Sequence, residues 1–184
     1  EEFGREVIDN FAHEYSQGRT PNPCVQCNDK LKFAALLTKA RQLGAYSLAT
    51  GHYVQKSRDR NGRYHLLRAK DRTKDQSYFL FGLGQEQLEH LLFPVGRYTK
   101  EEVRQMAREA GLPTADKPES QEICFVPAND YASFIERERP QARRPAGSFV
   151  GADGTELGFH HGIHAYTVGQ RRGLGVTASG AAAG

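Results

Sequence analysis

A short apolar run, Tyr46 to Thr50, leads directly into Gly51-His52-Tyr53 and limits the folds open to this chain. Its length and composition predict a buried strand, and residues 29 to 43 before it have the apolar spacing of a helix that Gly44 ends. A helix, a buried strand and a polar turn in this order are typical of α/β folds, which bind ligands where their strands end. The sequence therefore predicts an α/β unit with Gly51 at the end of a strand.

The first part of the chain predicts two helices joined by a loop. Residues 3 to 17 repeat apolar side chains every four positions, which indicates an amphipathic helix ended by Gly18. The stretch Arg19 to Cys27 contains two prolines and is predicted to be an ordered loop. The helix that follows, residues 29 to 43, is predicted to place its apolar side chains on one side, at Leu31, Ala35 and Leu36.

Two further helices are predicted from their caps. Thr99 and Glu102 form a capping box at the start of a helix that a glycine closes at position 111. Asn129 is predicted to cap a second helix, which ends before Pro140. The side chains that this second helix is predicted to bury are Tyr131, Phe134 and Ile135.

Two dipeptides predict β-hairpins. Asn61-Gly62 lies at the centre of the polar stretch Val54 to Ala69 and suits the positive φ angles of a two-residue turn. Asp153-Gly154 is a second such signal, in a region rich in glycine and β-formers. The composition changes near residue 143, so residues 1–142 and 143–184 are predicted to be separate domains. The Ala/Gly tail from position 180 is low in complexity and predicts no fold.

The bulk composition narrows the class of protein. A length of 184 residues suffices for one well-buried domain, or for one domain and the start of another. No apolar run approaches the roughly 20 residues that span a bilayer, which favours a soluble cytoplasmic protein without a membrane partner. The net charge of +3 is only mildly basic and does not by itself indicate nucleic-acid binding.

The cysteines are the strongest chemical signal. Three are too few for a disulfide scaffold, so any functional cysteine is expected to serve catalysis, redox chemistry or metal binding. Cys24 and Cys27 form a C-x-x-C pair just ahead of a predicted helix, where exposed amides and the helix dipole favour the nucleophilic thiolate. Cys124 lies far downstream between Ile123 and Phe125, and by itself it is predicted to be a small buried hydrophobic residue.

The cysteine pattern leaves several roles open. The C-x-x-C is also typical of a thiol–disulfide redox pair and of half a metal site. A zinc site is disfavoured because no second close pair of ligands follows at the usual spacing. Three cysteines could instead bind three irons of a cubane cluster. The histidines far downstream are predicted to be turn and surface residues, at His160, His161 and His164.

Four polar motifs are ambiguous when each is considered alone. Gly51-His52 suits the close approach of a nucleotide to the backbone, and equally a plain turn. Lys74 to Ser77 offers groups for phosphate binding and base recognition, although most short charged runs are solvated loops. Arg143-Arg144 and Arg171-Arg172 would suit RNA phosphates or a solvated surface. None of these motifs determines the function.

Taken together, the motifs resemble one family. They resemble, in the same order, motifs of the tRNA-specific 2-thiouridylases of the MnmA type. The motifs are Gly18 to Pro23 with Cys27-Asn28, Ala49 to Tyr53, Lys74 to Leu80, Phe93 to Gly96, Ile123 to Phe125, and Thr167 to Gly175. The resemblance covers residues 15 to 176. It implies an incomplete Rossmann-like domain of the adenine nucleotide alpha-hydrolase type, α/β in class, followed by the start of a small β-rich domain that binds tRNA.

The resemblance also implies roles for individual residues. Cys27 matches the catalytic nucleophile, and Cys124 matches the cysteine that carries a persulfide. Gly51 matches a nucleotide contact. Residues that match contacts to the tRNA substrate are Asn22, Pro23, Cys24, His52, Lys74, Asp75 and Gln76. No residue matches a metal ligand, and Cys24 departs from relatives that have Asp at its position.

The implied activity is the 2-thiolation of the wobble uridine of tRNA, in which ATP with Mg²⁺ adenylates the base and a cysteine persulfide supplies the sulfur. The implied partners are tRNA and an upstream sulfur-relay protein that carries a persulfide. The family's S-G-G-x-D-S loop for ATP is expected upstream of Glu1, so this internal stretch is expected to be inactive alone. Two alternatives stay open: an iron–sulfur-dependent thiolase using Cys24, Cys27 and Cys124, and a non-catalytic RNA-binding module.

Overall fold

The computed structural model describes residues 1–118 and 123–176, and the chain divides into two compact units. The first unit consists mainly of residues 3–23 and the described residues from 123 onward, and the second mainly of residues 24–118. The predicted short segment Ser120 to Val126 begins outside the described residues, as does the whole tail from Gly180 to Gly184. The predicted domain division after residue 142 stays a prediction.

Helices and strands are mixed along the chain, and they do not alternate strictly. The elements up to residue 68 are helix α1 (Gly4–Asp9 in π and Asn10–Ser16 in α geometry), helix α2 (Pro23–Gln26 in α, Cys27–Leu36 in π and Leu37–Gln42 in α geometry), and strands β1 (Leu48–Ala49), β2 (Val54–Arg58) and β3 (Tyr64–Arg68). Those that follow are α3 (Gln85–His90), β4 (Leu91–Leu92), α4 (Lys100–Glu109), α5 (Tyr131–Glu138), β5 (Gly147–Val150) and β6 (Glu156–His160). In the described part of the chain, no helix is both long and apolar enough to cross a bilayer.

Helix α1 confirms the four-residue periodicity of its sequence and forms the core of the first unit. Val7, Phe11 and Tyr15 are all buried. Phe11 and Tyr15 belong to a cluster with Ile135 of α5. The ring of Tyr15 also stacks on that of Tyr131, with 4.6 Å between the ring centroids. The apolar stripe of α1 therefore packs the N-terminal segment of the first unit against its C-terminal segment.

Helix α2 begins at Pro23, so the prediction of a loop as far as Cys27 is wrong for its last part. Proline is well suited to the first helical position, because the N–H that it lacks would have no partner there and its φ angle is already helical. The prolines of the sequence therefore mark a helix start at Pro23. Both Cys24 and Cys27 lie within the first turns of α2.

The buried face of α2 also differs from the predicted one. The π-helical stretch Cys27–Leu36 has hydrogen bonds from i to i+5, which changes the periodicity of its face relative to an α-helix. Asn28 and Phe33 are five residues apart and are both buried. The predicted apolar side at Leu31, Ala35 and Leu36 is only half-buried or exposed.

Strand β1 lies within the run Tyr46 to Thr50, as predicted, but it consists only of Leu48–Ala49 and is not buried. Leu48 pairs with Leu91 in a parallel register, and the N–H of Thr50 donates to the carbonyl oxygen of Leu92 at 3.0 Å. Tyr46 is 72% exposed. The predicted burial fails because, among the described residues, β1 has only β4 as a neighbour.

Both predicted hairpins are present, as the antiparallel pairs β2–β3 and β5–β6. The predicted two-residue turn at Asn61-Gly62 is wrong in detail. Gly62 has a left-handed φ of 81° and Asn61 does not. The N–H of Asp59 donates to the carbonyl oxygen of Arg63 at 2.9 Å, which leaves a longer turn. A carboxylate oxygen of Asp59 accepts from the N–H groups of Asn61 and Arg63 at 2.9 Å each and stabilises this turn.

The caps of the later helices confirm one prediction and correct another. In α4, the Thr99 hydroxyl accepts from the N–H of Glu102 at 3.2 Å, and the Glu102 carboxylate accepts from the N–H of Thr99 at 2.6 Å. Helix α5 is capped by Asp130, whose carboxylate accepts from the N–H of Ser133 at 3.0 Å. The predicted cap Asn129 has a φ of 56°, which points the backbone out of the capping geometry.

His164 corrects the prediction that all three downstream histidines are surface or turn residues. It is fully buried in the first unit. Its Nδ1 accepts from the N–H of Arg144 at 3.1 Å, and its Nε2 lies 3.0 Å from a carboxylate oxygen of Glu136. An imidazole can be buried here because both of its ring nitrogens have partners.

Gly96 is required by a close approach of two backbone segments in the second unit. Its carbonyl oxygen accepts from the N–H of Lys70 at 2.9 Å. A Cβ atom at position 96 would lie 1.7 Å from the carbonyl oxygen of Val54. No side chain fits at that distance, so glycine is the only residue that lets strand β2 pack here.

Replacing Gly96 by Ala should therefore lower the free energy of unfolding by about 3 kcal/mol or more, because the Val54 backbone must move. Urea unfolding followed by circular dichroism would measure the loss. Gly84→Ala is the matched control: its Cβ would meet only the Gln87 side chain, at 3.6 Å, and should change stability by less than about 1 kcal/mol. Equal stabilities of the two variants would contradict the close approach.

Candidate active site

Helix α2 holds two of the three cysteines at one end. Cys24 is exposed and Cys27 is half-buried. Residues three apart on a helix are neighbours on its surface, so the two side chains lie on adjacent positions of one face. The helix dipole acts most strongly in the first turn, which contains Cys24 and ends just before Cys27.

Asn28 ties the cysteine-bearing end of α2 to the loop that carries the Lys74 to Leu80 motif. Its side-chain Nδ2 donates to the carbonyl oxygen of Phe79 at 3.2 Å. Asn28 is only 4% exposed, and in the described ranges its Oδ1 has no hydrogen-bond partner. A buried acceptor of this kind is expected to receive a donor from water or from a bound molecule. The position next to Cys27 is thus both fixed and able to accept a hydrogen bond.

Phe33 connects α2 to the turn after β1. It is buried in the core of the second unit, and its ring centroid lies 5.7 Å from that of His52. The Nδ1 of His52 forms a hydrogen bond with the hydroxyl of Thr50. Burial, and to a smaller extent the charge of Lys32, lowers the pKa of His52 from 6.5 to about 4. His52 is therefore a neutral imidazole at physiological pH.

The Lys74 to Leu80 motif is connected to the same turn through Gln76. The Oε1 of Gln76 accepts from the N–H of Tyr53 at 2.9 Å, and the N–H of Gln76 donates to the carbonyl oxygen of Tyr53 at 2.9 Å. Together with Asn28 and Phe33, this pair brings the motifs around Cys27, Gly51 and Gln76 into one region of the second unit.

Asp75 stabilises the loop that precedes Gln76. Its carboxylate accepts from the N–H of Ala69 at 2.7 Å, the hydroxyl of Ser77 at 2.7 Å and the Nε of Arg68 at 3.2 Å. Burial raises the pKa of Asp75, but these hydrogen bonds outweigh it and the net shift is downward. The ionised carboxylate is engaged within the protein, and a contact of Asp75 with tRNA stays a prediction.

Gly51 lies in an open position two residues after the end of β1. A Cβ atom built at Gly51 would meet no atom of the described residues within 4 Å, and the φ of Gly51 is not in the left-handed region. The fold itself therefore does not require glycine at this position. This favours the interpretation that a ligand approaches the backbone here, over the interpretation that Gly51 serves a plain turn.

Cys124 belongs to the first unit and lies in a tight turn. The N–H of Val126 donates to the carbonyl oxygen of Ile123 at 2.9 Å and closes that turn. Phe125 anchors it, since its ring packs edge-on against Phe11 with 5.4 Å between the centroids. Cys124 itself is exposed, so the prediction of a buried hydrophobic residue is wrong. The neighbouring apolar side chains enter the core, and the thiol remains accessible.

The other predicted tRNA contacts have different degrees of exposure. Pro23 is buried at the start of α2, whereas Asn22 and Lys74 are half-buried. Phe33, Thr50 and Asn28 support the site but are not among the residues predicted from the sequence. Thr50 and Asn28 stand beside Gly51 and Cys27 in the motifs of the family resemblance, and this neighbourhood is the signal that could have indicated them. In the described residues, no three His, Cys, Asp or Glu side chains group as a metal site.

Two family models define the class of protein: a HUP domain, which is a Rossmann-like nucleotide-binding domain, followed by a PRC-barrel-like domain. The model of the family described as "tRNA methyl transferase HUP domain" matches residues 1–128. The model described as "tRNA methyl transferase PRC-barrel domain" matches residues 132–183. The chain therefore belongs to this tRNA methyl transferase HUP domain family.

Curated relatives carry a more specific name. Proteins called tRNA-specific 2-thiouridylase MnmA are similar to this chain at 60% identity in Geobacter metallireducens, over 96% of the chain and 48% of the relative. The identity is 53% in Halothermothrix orenii, over 95% and 49%. The resemblance to this family and the predicted fold class are confirmed. The chain spans about half the length of these relatives.

The buried His52 predicts a specific pH dependence of stability. Between pH 6.5 and about 4 the unfolded chain binds a proton at His52 that the folded chain does not bind. The free energy of unfolding should therefore fall as the pH is lowered through this window, by about 3 kcal/mol in total. His52→Asn, which does not titrate, should lose this component in urea unfolding at pH 7 and pH 4.5.

The exposed His13 supplies the control for this comparison. His13→Asn should retain the pH dependence of the unchanged protein, because His13 is in contact with solvent in both states. A His52→Asn variant with the same pH dependence as the unchanged protein would contradict a buried neutral imidazole at this site.

Proposed function

We propose that the protein containing this chain catalyses the ATP-dependent 2-thiolation of the wobble uridine of tRNA, in the cytoplasm. The observation that carries the proposal is the position of Cys27, on a helix fixed by Asn28 and Phe33 to the motifs of Gly51 and Gln76. Relatives with 53% identity or more, over 95% of the chain or more, are named for this activity. These two facts support a sulfurtransferase.

The chemistry requires activation before sulfur can be transferred. The C2 oxygen of uridine is a poor leaving group, so it first attacks the α-phosphorus of ATP and displaces pyrophosphate. The adenylated oxygen can then leave as AMP. The open backbone at Gly51 is the proposed nucleotide contact. Mg²⁺ would offset phosphate charge; among the described residues no three His, Cys, Asp or Glu side chains group as a metal site, so no residue is assigned to it.

Two thiols with different tasks would supply the sulfur. A relay protein is proposed to load Cys124 as a persulfide, and the exposure of this thiol allows a partner to reach it. In one route Cys27 attacks the inner sulfur of Cys124 and releases hydrosulfide, which attacks C2. In the other route the outer sulfur attacks C2 directly and AMP leaves. Cys27 then attacks the sulfur of Cys124 and breaks the S–S bond between Cys124 and the transferred sulfur. Both routes form a Cys27–Cys124 disulfide, which a dithiol reductant must reopen.

The wobble base must leave its anticodon stack to reach such a site. Cys24 is exposed and Asn22 and Lys74 are half-buried, and these three are proposed to contact the RNA directly. Pro23, Asp75 and Gln76 would act mainly by shaping the surface, since Pro23 is buried and the two polar side chains are hydrogen-bonded within the protein. His52 is proposed to contribute as a neutral group.

Replacing Cys27 by Ser in the full-length protein should abolish 2-thiouridine formation, because a hydroxyl cannot reduce the persulfide. Cys124→Ser should have the same effect, and both variants should remain folded. Mass spectrometry of tRNA nucleosides from cells carrying each variant measures the product and would also detect a methylated uridine. Normal thiolation in the Cys124→Ser strain would overturn the persulfide route.

Cys24→Ser is the matched control on the same helix. The persulfide route predicts that thiolation is retained, because Cys24 has no part in the sulfur exchange and a serine hydroxyl can keep its proposed contact with the RNA. An iron–sulfur site would need it as a ligand, so activity and bound iron would be lost together. Iron content after anaerobic purification therefore distinguishes the two mechanisms.

Gly51→Ala tests the nucleotide contact separately from the sulfur chemistry. The fold has room for the added methyl group, so the thermal unfolding temperature should change little. The KM for ATP in the thiolation of tRNA should rise about tenfold or more, since the methyl group would occupy space that the nucleotide needs. An unchanged KM for ATP would remove Gly51 from the nucleotide site.

A further inference from the structure

A pocket of about 440 Å³ lies within the first unit. Two arginines, two prolines, an alanine and a histidine line it, namely Pro140, Arg143, Arg144, Pro145, Ala146 and His161. Two neighbouring arginines beside one concave surface, with no carboxylate side chain in its lining, favour an anionic ligand.

The two neighbouring arginines have different surroundings. The Nε of Arg144 donates to the carbonyl oxygen of Ser16 at 2.8 Å, and its Nη2 lies 3.3 Å from the Ser16 hydroxyl. Its backbone N–H donates to His164. Arg144 is therefore fastened to helix α1 and forms a fixed wall of the pocket.

Arg143 is oriented by charge without being fully engaged. Its side chain is 67% exposed, and its Nε is 3.7 Å from a carboxylate oxygen of Glu136, beyond normal hydrogen-bond distance. The same oxygen of Glu136 lies 3.0 Å from the Nε2 of His164. A guanidinium has five N–H donors. Arg143 can therefore bind an external anion while its charge remains partly balanced.

The backbone around Arg143 is stiffened on both sides. Pro140 begins a 3₁₀ turn, Pro140–Ala142, and the N–H of Arg143 donates to the carbonyl oxygen of Pro140 at 3.1 Å. Pro145 fixes a further φ angle two residues later. A ligand that meets Arg143 here orders little additional backbone, which lowers the entropic cost of binding.

We propose that this pocket binds a phosphodiester group of the RNA backbone, with Arg143 as the principal contact and Arg144 as a structural wall. The proposal rests on the proposed function, which makes RNA the substrate. It separates two adjacent arginines that the sequence could not distinguish. Because a phosphate contact carries no base information, it would add affinity for RNA in general and not select the wobble uridine.

The test measures binding of an unmodified tRNA transcript to the full-length protein by fluorescence anisotropy at several salt concentrations. Arg143→Gln should raise the Kd about five- to tenfold and reduce the slope of log K against log salt by about one. Arg137→Gln is the control, because Arg137 is similarly exposed and pairs with Glu138 at 2.9 Å outside the pocket lining. It should leave both quantities unchanged. Arg144→Gln should lower the thermal unfolding temperature.

Three results would overturn the proposal that this pocket binds an RNA phosphate. The first is an Arg143→Gln variant with the affinity and salt slope of the unchanged protein. The second is a loss of affinity only for tRNAs with a wobble uridine, since that indicates base recognition. The third is inorganic phosphate or ATP that competes at the pocket while RNA does not, which would identify a free phosphate as the ligand. If Arg143→Gln weakens RNA binding but the unchanged protein forms no 2-thiouridine, the pocket stands and the proposed function fails.

Discussion

The burial of Phe33 is the contact on which the arrangement of the second unit depends. Its ring lies in one apolar cluster with Val54, Leu80 and Leu91, which come from the hairpin, the loop and the parallel strand. Burying a phenylalanine contributes about 2 to 3 kcal/mol, and it places the facing side chains of α2 at the same time. Through this one residue, the end of α2 that carries the cysteines is held against the turn after β1.

Hydrogen bonds of buried and half-buried polar side chains then determine the geometry around these apolar cores. His52 and Asp75 lie beside this core with hydrogen-bond partners from their own chain segments. His164 has the same role in the first unit, between Arg144 and Glu136. A polar group that leaves water must recover its hydrogen bonds, so each of these side chains fixes the geometry of its neighbours more strictly than an apolar residue would.

The two cysteines of the proposed sulfur transfer differ in exposure and in the element that holds them. Cys27 is half-buried on a helix, beside a buried amide oxygen that lacks a partner among the described residues. Cys124 is exposed on a tight turn whose apolar neighbours, Ile123 and Phe125, pack against the core of the first unit. An accessible thiol suits loading by another protein, and a more sheltered one suits a reaction from which water must be excluded.

The sequence by itself determined the local elements: the stripe of α1, the capping box at Thr99, the hairpins at Gly62 and Gly154, and the ordered motifs that identify the family. These follow from neighbouring residues, whose steric and hydrogen-bonding preferences act over a few positions. Only the tertiary structure decided that Phe33 and Asn28 lie on the buried face of α2, that His164 is buried, and that the surroundings of Arg143 and Arg144 differ. Those outcomes depend on which distant segments supply apolar contacts and hydrogen-bond partners. The spacing of neighbouring residues does not specify which distant segments come into contact.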